Sequence, residues 1–128
     1  MNGIKISSRK AKGRNLQKMV RKILLEHFEK KLEEDDIRST GMGQSGVDLL
    51  LSPLAQKLFP YSVECKNCES LNIFKALEQA EHNSTDKLKP IVIFKRNRSK
   101  TFVTLEFDEF LRLLKNQKNN EEENTIPI

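Results

Sequence analysis

Phe59-Pro60-Tyr61-Ser62-Val63-Glu64-Cys65-Lys66-Asn67 is the stretch on which the reading of this chain turns. It reads as a turn feeding a strand. Side chains two apart on a strand point to the same face, so Glu64 and Lys66 share one face. Val63 and Cys65 take the other, toward a core. A carboxylate beside an ammonium packs poorly against apolar neighbours and suits a site for metal and water. The competing reading is a solvated edge strand with alternating charges, in a chain of 23 Lys+Arg and 18 Asp+Glu. Context favours the site: Gly46-Val47-Asp48-Leu49-Leu50-Leu51, just upstream, reads as another apolar strand with one acid near its start.

Working outward from there, the apolar residues Leu16, Met19, Val20, Ile23, Leu24, Phe28 and Leu32 keep the spacing of an amphipathic helix from Arg14 to about Leu32. Gln17 falls at the edge of that stripe, where it can face a site along the rim of the core. Asp36–Thr40 is a first strand. Gly41–Gly46 holds three of the five glycines and reads as the loop of a hairpin. Ser52-Pro53 starts a short helix. Ser70 is the expected cap of a further helix that buries Ile73, Phe74, Leu77 and Ala80. Ile91–Phe94 is an apolar run of the kind central strands carry. Thr101–Leu105 returns beside it, and Asp108 is the expected cap of a last helix through Phe110, Leu111, Leu113 and Leu114. The order αβββαββα predicts an α/β domain, a restriction-endonuclease-like αβββαβ core with one mixed central sheet flanked by helices. Residues 1–12 are expected as a flexible basic arm, 13–115 as the domain, and 116–128 as a disordered polar tail.

Composition narrows the partners. The net charge is +5 and the sequence pI about 9.3. Residues 1–22 carry Lys5, Arg9, Lys10, Lys12, Arg14, Lys18, Arg21 and Lys22 and no acid, and Lys95, Arg96, Arg98 and Lys100 cluster again. Charge gathered in this way favours a polyanion. One tyrosine and no tryptophan leave few stacking platforms for single strands, which points to duplex DNA. No apolar run reaches the ~20 residues of a membrane span, and no apolar h-region marks a secretory signal. The expected compartment is cytoplasmic, the host's cytoplasm for a phage-encoded chain. Gly41–Gly46 lacks the Gly-Lys-Ser/Thr ending of a phosphate-binding loop, so no nucleotide cofactor is expected. Cys65-Lys66-Asn67-Cys68 straddles a strand end, unlike a redox pair opening a helix, and reads as structural.

An acid followed by Glu-x-Lys on the next strand is the signature of the PD-(D/E)xK nucleases. Lys12-Gly13-Arg14, Arg38-Ser39-Thr40, Gly46-Val47-Asp48 and Val63-Glu64-Cys65-Lys66 together resemble the archaeal-type Holliday junction resolvases, and more closely the small phage-type endonucleases of that group. The resemblance spans roughly residues 12–114. It implies a homodimeric, Mg²⁺-dependent endonuclease, with Mn²⁺ as a substitute, that nicks four-way or branched DNA. Asp48, Glu64 and Lys66 match motif positions. Asp48, Glu64 and the Cys65 main-chain carbonyl are the implied metal ligands, and Lys66 the group that orients or deprotonates water. Ser39 matches a serine assisting at the scissile phosphate. The archaeal enzymes carry a glutamate on the first helix, and Gln17 stands in its place without the charge.

Lys12, Arg14, Arg38 and Gln44 are the candidate phosphate contacts, which position a duplex without reading its sequence. Gln79 is a candidate for reaching back to the site, with Asn83 standing where a tyrosine is common. His82 reads as a surface residue. Two rivals stand beside the resolvase: another structure- or site-specific nuclease of the same fold, and a basic DNA-binding module that has lost catalysis.

Overall fold

The computed structural model describes residues 6–40, 46–85 and 87–124. Helix α1 runs Ile6–His27, so residues 6–12 form its first turns instead of an arm. Lysine, arginine, alanine and glutamine are good helix formers, and a run of basic residues is no barrier to a helix. Leu16 and Val20 are buried, whereas Ile23 is 52 % exposed. The buried face centres between Leu16 and Gln17, which rotates Ile23 out to solvent. A 3-10 turn at Glu34–Asp36 leads into β1 (Ile37–Ser39), which pairs antiparallel with β2 (Leu49–Leu51), Ser39 opposite Leu49. This is the expected hairpin. Gly46, at its far side, has φ +104°, a left-handed conformation that glycine adopts without strain.

Helix α2 (Pro53–Leu58) begins as its sequence predicts, Ser52 Oγ accepting from the Ala55 N–H at 3.1 Å with proline at the first position. The same hydroxyl donates to Asp36 at 2.6 Å, which ties the acidic turn to the helix start and holds the Asp36 carboxyl below its usual range. Strand β3 (Tyr61–Asn67) then enters the core. Helix α3 (Ile73–Asn83) is capped by Asn72, whose side chain accepts from the Lys75 N–H, and not by Ser70. Its buried face is accordingly Ala76 and Ala80 with Ile73 and Leu77 alongside, and Phe74 is turned out. β4 (Lys89–Lys95) lies parallel to β3, with Glu64 opposite Val92, and β5 (Phe102–Thr104) closes the sheet antiparallel to β4.

The helices flank a mixed three-stranded sheet, the expected α/β core, but the five strands do not make one sheet. β1–β2 is a separate hairpin docked on the free edge of β3. There the Asp48 N–H donates to the Val63 carbonyl at 3.1 Å, and the Asp48 carboxylate accepts the Cys65 N–H at 2.6 Å. A side chain takes the bond that the main chain of a continuing ladder would have made.

Val63, Cys65 and Tyr61 pack with Leu16, Val20 and Ile37 on the α1 side of the sheet. On the other side Val92 packs with Ala76 and Ala80 of α3. Helix α4 (Phe107–Asn124) continues through residues 116–124, expected as tail, and starts one residue before Asp108. It is fastened by Glu109, which is buried, accepts from the Tyr61 hydroxyl and takes two 2.7 Å bonds from Arg112. The Arg112 guanidinium first, and the Tyr61 hydroxyl with it, hold the Glu109 carboxyl at about 2, down from 4.5. Burial, then the neighbouring carboxylate, push the Tyr61 hydroxyl up to about 12. Glu109→Ala leaves the Tyr61 hydroxyl buried without its acceptor, and should cost about 1–3 kcal/mol in urea unfolding. The contribution of Glu109 is complete above its ordinary 4.5 and fades as pH falls toward about 2. The gap between wild type and Glu109→Ala should therefore narrow across that acid range; a gap constant with pH would contradict the pairing.

Candidate functional site

The alternation on β3 that buries Val63 and Cys65 against α1 sends Glu64 to the α3 face, where it is only 3 % exposed. Its Oε1 lies 3.5 Å from the Lys66 ammonium, and among the described residues its Oε2 has no hydrogen-bond partner. Two neutral atoms, Asn67 Oδ1 and Thr104 Oγ1, share that condition; a charged one is the costlier to leave bare. Burial raises the Glu64 carboxyl above its ordinary range, and the Asp48 carboxylate raises it further, against Lys66 and Asn83, which favour the ionised form. Asp48 is likewise raised by burial, opposed by its bond from Cys65 and by Lys66. Two desolvated carboxylates thus share one ammonium, a balance that a divalent cation between them would complete.

The residues present suit such an ion. Among the described residues no group of three or more histidine, cysteine, aspartate or glutamate side chains is placed to hold a metal, so no closed protein cage is available. A hard cation that keeps several waters needs only one or two carboxylates. The N–H and carbonyl of a strand residue leave on the same edge. Since the Cys65 N–H meets Asp48, its carbonyl faces that same edge, as the implied third ligand requires.

Gln17 and Ser39 are brought together as a second pair. Gln17 is not on the rim but 2 % exposed, and its Oε1 accepts from the Ser39 hydroxyl at 3.1 Å. Ser39 sits across the ladder from Leu49, and the next residue, Thr40, donates its N–H to the Asp48 carbonyl at 3.0 Å. The pair therefore adjoins the main chain of Asp48, one residue from the carboxylate cluster.

The other candidates lie farther out. Arg14 is exposed one turn before Gln17 on α1, and Lys12 is half-buried two residues earlier, on a different side of the helix. Arg38 is exposed, with a loose 4.0 Å approach to Asp35. Gln79 is exposed on α3, and Asn83, four residues on, is the one that influences Glu64. Gln44 lies outside the described residues. Cys65 is a buried free thiol pushed well above its usual range by burial, and Cys68 is exposed and free.

A groove of about 1170 Å³ runs along α1 to Ser39, with Lys18, Lys22 and Arg38 among its lining residues and Glu26, Glu29 and Glu33 also present. Lys18 and Lys22 escaped the sequence reading as site residues because a one-turn spacing of lysines also marks any solvated helix face. Arg21, in the same groove, instead donates to the carbonyls of Ile37 and Glu34 at 2.6 and 2.7 Å, binding α1 to β1.

Asp48→Ala removes the acceptor of the Cys65 N–H, whereas Asp48→Asn keeps an oxygen there. In urea unfolding the alanine variant should be the less stable of the two by about 1–3 kcal/mol; equal midpoints would mean that the bond carries nothing.

Among the described residues no helix is long and apolar enough to cross a membrane. Compared with known proteins, the chain matches a family model described as "Phage putative PDDEXK endonuclease" over residues 8–127. No curated protein and no solved structure matches it.

Proposed function

The chain belongs to the phage PDDEXK endonuclease family, and from that membership we propose a Mg²⁺-dependent DNA endonuclease that nicks branched duplexes, a junction resolvase acting as a homodimer. One observation carries the metal-dependent part: the buried Glu64 carboxylate, with an orphaned oxygen, beside Asp48 and 3.5 Å from Lys66. Asp48, Glu64 and the Cys65 carbonyl would hold the ion, and Mn²⁺ would substitute. When bound, such an ion supplies a water of lowered pKa and screens the charge that grows on the phosphate and the leaving oxygen. Lys66, partly exposed next to Glu64, orients the attacking water and faces the phosphate. Ser39, whose one hydroxyl proton goes to Gln17 in the free protein, assists at the scissile phosphate by turning that proton to a non-bridging oxygen when DNA binds.

Lys12, Arg14 and Arg38 contact backbone phosphates, and the groove along α1 adds Lys18 and Lys22. Gln44 and Gln79 are assigned to flanking DNA. Contacts of this kind are electrostatic, so binding should weaken steeply with salt. The family and the +5 charge favour a DNA substrate. The preference for branches and the pairing of nicks rest on the resemblance to resolvases, and a two-fold dimer suits paired nicks on a pseudo-symmetric junction. The site of action is then the host cytoplasm.

The test is a panel of labelled four-way junction, flap, nicked and linear duplex in Mg²⁺. Paired nicks near the branch point are expected on the junction, with linear duplex intact. Equal cleavage of every duplex would keep the nuclease and remove the junction preference. Binding without cleavage in any divalent metal would leave a DNA-binding module.

A further inference from the structure

A helix of a small domain draws most of its stability from packing one face against the remainder. α4 does so sparingly. Glu109 ties it to Tyr61, and Arg112 accompanies Glu109. Phe107, Phe110, Leu111 and Leu114 keep the 0, 3, 4, 7 spacing of a single stripe, and all four are exposed, Phe107 to 72 %. Four large apolar side chains along one helix, each 45–72 % exposed, mark a surface that something covers. We propose that α4 pairs with α4 of a second copy of this chain, antiparallel and about a two-fold axis.

The charges beside the stripe select that occupant and its direction. The first turn of the helix is acidic, with Asp108 beside the buried Glu109, its middle carries Lys115 and Lys118, and its last stretch holds Glu121, Glu122 and Glu123. Asp108 and Lys115 are seven residues apart and so flank the stripe on one side. Crossing two such helices antiparallel near Leu111 sets Asp108 of each copy against the partner's Lys115, and the two-fold axis repeats the contact. A parallel pair would set acidic start against acidic start. Antiparallel packing also opposes the two helix dipoles.

This names a surface for the homodimer of the proposed function, but it rests on the helix alone and not on the nuclease reading. Sedimentation equilibrium of the full chain should give the two-chain mass. Leu111→Asp with Leu114→Asp should give the one-chain mass, with the circular dichroism of the core retained. Asp108→Lys alone, or Lys115→Asp alone, should weaken self-association by about tenfold or more, and the two together should restore it. Lys66→Ala should keep the two-chain mass whatever happens to cleavage. A wild type that stays single at ~100 µM, well above the Kd of a specific dimer, would overturn the proposal. So would a dimer indifferent to the Leu111 and Leu114 changes, or a paired charge swap that fails to restore association.

Discussion

Glu64→Gln is expected to cut DNA cleavage by about 10³-fold or more, the loss of several kcal/mol of charge stabilisation, while leaving the metal-free protein more stable than wild type. The reason is the environment of the carboxylate, buried, raised by desolvation and by Asp48, with one oxygen unpartnered. A carboxyl raised on folding adds stability below its unfolded value of 4.5, and that contribution is lost as pH rises through the folded value. Above that folded value the metal-free wild type therefore bears the cost of an ionised Glu64. Glutamine removes the charge, and the gain should be on the order of 1 kcal/mol, a few degrees in Tm. Mg²⁺ should raise the Tm of wild type, since a ligand held only by the native state stabilises it, and should do little for Glu64→Gln. Calorimetry with and without Mg²⁺ reads both effects. A glutamine variant several degrees less stable than metal-free wild type would mean that Glu64 is structural.

Lys66→Ala should be nearly as damaging to cleavage, about 10²–10³-fold, the range of a positioned proton-transfer or water-orienting group. Its effect on metal binding should run the other way. The ammonium lies 3.5 Å from Glu64 Oε1 and shares that carboxylate with any cation. Removing it should leave the Mg²⁺-induced rise in Tm intact or enlarge it. Loss of cleavage together with an undiminished Mg²⁺ response separates a residue acting on water from one holding the ion. Loss of both would make Lys66 a support of the metal site instead.

The centre of the fold was legible because a strand has a strict period of two. Val63 and Cys65 against Glu64 and Lys66 could be assigned to opposite faces from the sequence, and the chain bears that out. The Ile91–Phe94 run likewise announced a central strand, and β4 lies between β3 and β5. Where side chains replace main chain, periodicity is silent. Nothing in Gly46–Leu51 tells that the Asp48 carboxylate will take the Cys65 N–H and break the sheet in two. Gln17 is buried because Ser39, 22 residues away, supplies a partner, and a helix wheel cannot see that partner. Turning Gln17 inward is what leaves Ile23 outside. The α3 face turns on Ala76 and Ala80 against Val92, which leaves Phe74 outside, and spacing alone does not favour the small alanine over the phenylalanine. The apolar residues of α4 could be placed on a last helix from the sequence, but spacing reports a stripe and not what covers it.

We propose that Asp48, Glu64 and Lys66 form a metal-dependent centre for cleaving DNA. Its most direct test is nicking of a supercoiled plasmid and a labelled four-way junction by wild type and Glu64→Gln, each in Mg²⁺ and in EDTA. Product is expected only for wild type in Mg²⁺, with EDTA abolishing it and Glu64→Gln inactive in both. Cleavage by wild type in EDTA, or by Glu64→Gln at the wild-type rate, would contradict it.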